Sequence, residues 1–259
     1  MHTATVRKGA AMMDPAMSPL PHTSILHGHG QAPGQWPKGP NEPQLSDGVL
    51  HVWRADLASE GDATLTLISN AERERAAAIH DERSGVMWAR SRGVLRALLG
   101  RYLGVDAGTL SFEVGPRGKP SLAARDGAPA ALSFNLSHSG ELALYAVAPA
   151  RLAVGVDVQV ADRRVNAVAI ARRMFGESAA SSLQALEDDE AQREFLRLWV
   201  RHEAALKCSG VGLTGASEAA AQHARCWIEE LHVGAGQWAA VAAPVAPREV
   251  RRWRWEPIG

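Results

Sequence analysis

The chain has 259 residues, 46% of them hydrophobic, enough to bury a substantial core as one large domain or two small ones. Its 28 basic residues balance 28 acidic ones, so no overall positive field holds it on nucleic acid or on an anionic membrane, and any bound anion must be held locally. No apolar run approaches a membrane span and no signal-like stretch follows Met1-His2-Thr3-Ala4, which sets the expectation of a cytoplasmic protein; Cys208 and Cys226 lack zinc-site spacing and read as free thiols.

Residues 1 to 44 are rich in Pro, Gly, His and Ser without periodicity and read as a flexible tail, in which His27 and His29 are solvated rather than metal ligands. A strand is expected over Leu50 to Leu57, then helices from Ala71 to His80 and from Gly85 to Leu103. The second carries Val94, Leu95, Leu98, Leu99, Tyr102 and Leu103 at helical spacing. Short apolar runs at Leu110 to Val114, Leu132 to Leu136, Leu142 to Val147 and Val154 to Val158 read as strands. Helices return at Ala167 to Phe175, Ala179 to Leu186 and Arg193 to Cys208, and the chain closes on strands at Trp227 to Val233, Trp238 to Ala243 and Val250 to Trp255. The order suggests two halves of similar plan, 45–151 and 152–259.

Four stretches carry chemistry. Gly155-Val156-Asp157-Val158-Gln159 puts a carboxylate inside an apolar strand, where desolvation is costly unless a cation or several donors compensate. An aspartate that caps the next turn is the alternative. Trp199, Glu203 and Lys207 form one i, i+4 stripe of the last long helix. Glutamate four residues before lysine also suits a surface ion pair, worth only about 0.2 to 0.5 kcal/mol. Lysine is scarce here, occurring only at Lys8, Lys38, Lys119 and Lys207, so each lysine in the folded region invites a specific reason. Gly115 to Pro120 is a tight turn that raises Lys119 at its tip, or no more than a hairpin turn. Phe134 to Ser139 ends a strand with hydroxyls around His138, which suits an anion and equally a turn that satisfies its own backbone.

Taken in order, GKP, NLSHS, GVDVQ and WVRHEAALKCSGVGL resemble the signature of the Sfp-type 4′-phosphopantetheinyl transferases over residues 50 to 245. That resemblance implies an α+β fold of two pseudo-twofold-related α/β subdomains in a pseudo-dimeric monomer, with coenzyme A and Mg²⁺ in the cleft between them. It implies transfer of phosphopantetheine to a serine of an acyl or peptidyl carrier protein, such as a carrier domain of fatty-acid, polyketide or nonribosomal-peptide synthesis. By position, Asp157 and Glu203 match acidic metal ligands, and Gln159 stands at a third ligand position where many relatives have glutamate. Lys207 matches the lysine on the diphosphate and leaving group, and Glu203 the group that takes the serine proton. Lys119, Ser137 and His138 match residues around the nucleotide and its 3′-phosphate, and Arg92 a basic residue of the preceding helix. His202 replaces a usual lysine, which puts any coenzyme contact made there in question. A non-catalytic coenzyme A binding or carrier-docking relative is the competing reading. For the partner, Arg163, Arg164, Arg172 and Arg173 beside Met174 and Phe175 offer a local basic and apolar patch, or an amphipathic helix with solvated arginines.

Overall fold

The structure is a computed structural model that describes residues 34–59, 62–115, 118–124, 130–162, 164–210 and 226–258. His27, His29, Arg117, Arg163 and the last three residues of the GVGL stretch lie outside the described residues. The architecture is α+β, with two main sheets covered by two long helices.

Strand β1 (Val49–Asp56) and the hairpin β4 (Leu132–Ser139) and β5 (Leu142–Pro149) build the first sheet, and the last strand, β9 (Glu249–Arg254), joins it parallel to β1 in the order β4-β5-β1-β9. The chain thus ends in the sheet of its first half. A second antiparallel sheet has the order β6-β8-β7, from β6 (Gly155–Val160), β7 (Trp227–Glu230) and β8 (Gln237–Ala243).

Strand alternation decides the layers. Leu50 and Val52 of β1 and Leu142, Leu144, Ala146 and Ala148 of β5 meet Val156 and Val158 of β6 and Ala239, Val241 and Ala243 of β8 in one core between the sheets. Each fully buried aliphatic side chain of the size of valine or leucine there contributes about 1.5 to 3 kcal/mol. The alternate residues Trp53, Ala55, Ala143, Tyr145 and Val147 pack outward under helix α2 (Glu82–Leu103) through Val94, Leu95, Leu98 and Leu99. Asp81 caps that helix through Ser84 N, and left-handed Gly104 ends it. On the far side, Ala240 and Ala242 of β8 pack under helix α5 (Asp188–Ser209) through Val200, Ala204, Ala205 and Cys208. Asp188, Asp189 and Glu190 in its first turn complement the helix dipole, which moves its start ahead of the expected Arg193.

Three smaller helices and a hairpin complete the framework. Helix α1 (Asn70–Ala77) begins at a reciprocal capping box of Ser69 and Glu72. Helices α3 (Ala167–Phe175) and α4 (Glu177–Gln184) pack on α5 through Ala167, Ala171, Leu183 and Phe195. The hairpin β2 (Phe112–Val114) and β3 (Pro120–Leu122) carries Lys119 immediately before its second strand.

Two expectations need correction. The segment read as tail through residue 44 is packed from Trp36 on: that indole is 8% exposed and donates to His232 O at 2.7 Å, and Gly39 N donates to Arg254 O at 3.0 Å. One buried tryptophan outweighs the local Pro/Gly composition. The strand read over Leu132 to Leu136 runs on to Ser139, so the NLSHS stretch is the C-terminal part of β4 itself and not a turn beyond it, held by pairing with β5 through Ser139↔Leu142. Cys208 and Cys226 are free thiols. Among the described residues no helix is long and apolar enough to cross a membrane.

Candidate functional site

The site forms where the edge strands of the two sheets meet. Asn135, Ser137 and Ser139 share one face of β4 and reach β6: Val156 N donates to Asn135 Oδ1 at 2.9 Å, Ser137 Oγ to Asp157 Oδ1 at 2.8 Å and Val160 N to Ser139 Oγ at 3.1 Å. Side chains here replace a backbone ladder. Asp157 is 2% exposed, and its carboxylate also accepts from Lys207 Nζ at 2.6 Å and Gln159 Nε2 at 3.3 Å. The turn-capping alternative therefore fails, since its partners come from β4, β6 and α5.

Gly155 explains how α5 comes so close. A Cβ there would stand 2.0 Å from Ala204 O and 2.4 Å from Cys208 N, so glycine lets the helix lie directly on β6. Glu203 and Lys207, one turn apart, are thereby held over Asp157. Lys207 does not pair with Glu203, as a surface i, i+4 pair would; its ammonium goes to Asp157 Oδ1 and, at 3.0 Å, to Ser137 Oγ. Glu203 Oε1 is buried with no hydrogen-bond partner among the described residues. Burial first, then the Asp157 carboxylate, raise its pKa above the usual range against the opposing pull of Lys207.

That orphaned oxygen and the neighbouring Asp157 form a donor set suited to a divalent cation. Among the described residues no cluster of three or more His, Cys, Asp or Glu side chains forms a metal cage, so a cation here would complete its shell with water and substrate oxygens, as Mg²⁺ commonly does. Gln159 turns its amide N–H toward Asp157 and has to rotate that amide to offer oxygen instead.

Cationic and stacking groups border the carboxylates. His138 lies on the α2 side of β4; burial first, then Lys207 and Arg92, hold its pKa below the ordinary value. Arg92 stacks on Trp88 at 5.1 Å, Arg75 approaches the same ring at 5.7 Å, and burial lowers the Arg92 pKa. The buried Nε of Arg92 has no partner among the described residues. Arg92 and Lys207 thus bring positive charge to the surroundings of His138, which an anion would relieve. Lys119 is directed elsewhere, onto the carbonyls of Val154 at 3.0 Å, Lys207 at 2.6 Å and Cys208 at 3.5 Å.

A family profile described as the 4′-phosphopantetheinyl transferase superfamily matches residues 153–239, and one described as the N-terminal part of a 4′-phosphopantetheinyl transferase matches residues 52–150. The chain is 37% identical over 185 residues to the 4′-phosphopantetheinyl transferase HetI of Nostoc sp., covering 70% of this chain and 77% of that protein. The chain belongs to the 4′-phosphopantetheinyl transferase superfamily. It is also similar to the transferase Sfp of Bacillus subtilis, 24% identical over 226 residues that cover 81% of this chain and 97% of the relative. A further 4′-phosphopantetheinyl transferase of Bacillus subtilis is 27% identical over 165 residues, covering 64% of this chain and 70% of the relative.

Within this superfamily member, His202 faces away from the carboxylates. It is 2% exposed and meets Phe175 edge-on at 5.2 Å and Trp199 at 6.2 Å, because residue 202 lies about 100° around the helix from Glu203. Its difference from lysine thus bears on packing between α3 and α5. Phe175, expected on an exposed patch, is packed against Phe195 and Trp199. Sequence reasoning overlooked Trp88, whose signal was an aromatic residue one helical turn before Arg92. It also overlooked the steric role of Gly155, where a glycine opening an apolar strand already marks close backbone approach.

Proposed function

We propose that this chain transfers the 4′-phosphopantetheine arm of coenzyme A to a serine of an apo carrier protein, releasing 3′,5′-ADP. The carrying observation is the paired Asp157 and Glu203 beside Lys207, at the seam of the two halves. Bound at those two carboxylates, with Gln159 as a further oxygen donor, Mg²⁺ would neutralise charge on the diphosphate.

The chain's own residues supply the rest. Lys207, already an ammonium in contact with Asp157, would turn to the oxygen on which negative charge collects as 3′,5′-ADP departs. Glu203, directly or through a water, would accept the proton of the attacking serine. The serine oxygen bonds to the phosphorus that bears the pantetheine, and the bridging oxygen of the diphosphate leaves with the 5′-phosphate. Arg92, His138 and Ser137 would hold the nucleotide end and its 3′-phosphate.

Carrier domains of fatty-acid, polyketide, siderophore and other nonribosomal-peptide synthesis fit this reading as partners. Incubation with coenzyme A, Mg²⁺ and an apo carrier, followed by mass spectrometry of the carrier, tests it. The carrier should gain one phosphopantetheine on its serine. A carrier of unchanged mass, with coenzyme A bound, would identify a non-catalytic relative instead.

A further inference from the structure

Helix α5 ends under an unusual restraint. Its last four carbonyls have no partner within the helix. Left-handed Gly210 donates to Leu206 O at 2.9 Å, and the Ser209 hydroxyl donates there as well at 3.1 Å. The carbonyls of Lys207 and Cys208 are served from outside, by Lys119 Nζ at 2.6 and 3.5 Å. The third donor of that ammonium goes to Val154 O at 3.0 Å, one residue before β6. A cation at a helix C-terminus is also the favourable sign for the dipole.

Lys119 is itself well held. Gly115 N donates to Lys119 O and Gly118 N to Gly115 O, each at 2.9 Å, so the turn fixes its backbone. The side chain therefore reaches from the β2-β3 hairpin of the first half to the end of α5 and the start of β6 in the second. All three of its donors are spent on main-chain oxygens, which leaves none for a phosphate.

We propose that Lys119 is a positioning residue for the transfer step: it clasps the last turn of α5 to the start of β6 and so fixes where Lys207 stands over Asp157. The proposal rests on the role given above to Lys207. Helix ends fray when their carbonyls are free, and Lys207 lies only two residues before the last helical residue. Freed from the clasp, Lys207 would spend less time aligned with Asp157 and Ser137, and misplacement on the ångström scale is felt in the rate of the chemical step.

The test compares Lys119→Met, Lys119→Arg and Lys207→Ala at saturating carrier, with coenzyme A and with 3′-dephospho-coenzyme A. Lys119→Met should lower kcat about tenfold or more with both substrates while each KM stays within about twofold. Lys119→Arg should recover most of that loss, since a guanidinium also donates to carbonyls. A loss confined to the KM for coenzyme A, with kcat intact, would overturn the proposal and make Lys119 a ligand of the 3′-phosphate. Lys207→Ala at wild-type kcat would instead remove the reading of Lys207, a distinguishable failure. Should Lys119→Met not fold, the native protein still decides. The Lys119 ammonium resonance, one of four in the chain and separated from that of Lys207 by Lys207→Ala, should not move on addition of 3′,5′-ADP, and a shift would overturn the clasp.

Discussion

The ammonium of Lys207 stands 2.6 Å from Asp157 Oδ1, with 29% of the lysine side chain exposed and only 3% of the aspartate. The pair is lopsided, so its two halves differ in what their removal leaves behind. Lys207→Met strands a buried carboxylate and should cost about 3 kcal/mol or more. Asp157→Asn strands only a partly solvated ammonium and should cost less, about 1 kcal/mol. Both should lower transfer by a hundredfold or more, and Asp157→Asn should also raise the Mg²⁺ concentration needed for half-maximal rate. Urea denaturation of the two variants checks the order; equal losses of stability would contradict it.

Burial lowers the pKa of both Arg92 and His138, and a phosphate between them would favour the charged form of each. Arg92→Ala or His138→Ala should weaken binding of coenzyme A at least tenfold more than binding of 3′-dephospho-coenzyme A, measured by calorimetry. Equal losses with the two ligands would take the 3′-phosphate out of this pocket.

Much of this arrangement is legible in the amino-acid sequence. The long apolar stripes of α2 and α5 and the solid apolar runs of β5 and β6 follow from periodicity, and the aspartate inside β6 signals a buried partner. The identity of that partner is not readable, because i, i+4 spacing offers Glu203 to Lys207 whereas α5 lying on β6 gives it Asp157, fifty residues away in the chain. Strand β3 is three residues long, too short for a period to show. The parallel placement of β9 beside β1 depends on the whole chain's path and not on any local signal.

His51 offers a pH test away from the site. It is fully buried on β1, bonded to Tyr102 Oη at 2.7 Å and edge-on to Trp253, and burial, helped by Arg251 against Glu249, lowers its pKa from 6.5 to about 3. The unfolded chain takes up a proton near pH 6.5 that the folded one refuses until about pH 3. This contribution is whole above pH 6.5 and is lost as the pH falls from there toward 3, at up to about 1.4 kcal/mol per pH unit. His51→Leu should flatten that slope, with Tyr102 Oη still accepting from Trp53 Nε1. Urea unfolding from about pH 7 to about pH 5 reads the difference, and identical slopes in both proteins would refute it.

For the carrier surface, the arginines on and just before α3 are not equivalent. Arg172 is paired bidentately with Glu177 at 2.8 and 3.2 Å, and Arg164 with Asp189, whereas exposed Arg173 has no carboxylate partner among the described residues. Arg173→Glu should therefore raise the KM for an acidic carrier more than Arg172→Glu does, with the KM for coenzyme A unchanged. The difference should shrink with added salt, which screens exposed charges beyond about 8 to 10 Å near physiological ionic strength. No change in carrier KM for either variant at low salt would move docking to another face.

Gly155→Ala tests the packing on which the whole site stands. The new methyl carbon would begin 2.0 Å from Ala204 O and 3.0 Å from Cys208 Cα, and both are helix backbone, which cannot swing aside as a flexible side chain would. Helix α5 has to lift from β6, and the overpacking should cost at least about 1 to 3 kcal/mol. The lift also separates Glu203 and Lys207 from Asp157, since two of these ride on the helix and the third on the strand. Activity should consequently fall by a hundredfold or more even at temperatures where the variant remains folded, because ångström displacements between reacting groups are that costly. Coenzyme A binding through Arg92 and His138, carried by α2 and β4, should survive within a few fold. Calorimetry on the folded variant beside the transfer assay separates the two effects; a variant that keeps wild-type turnover would show that the contact between α5 and β6 does not set the geometry of the site.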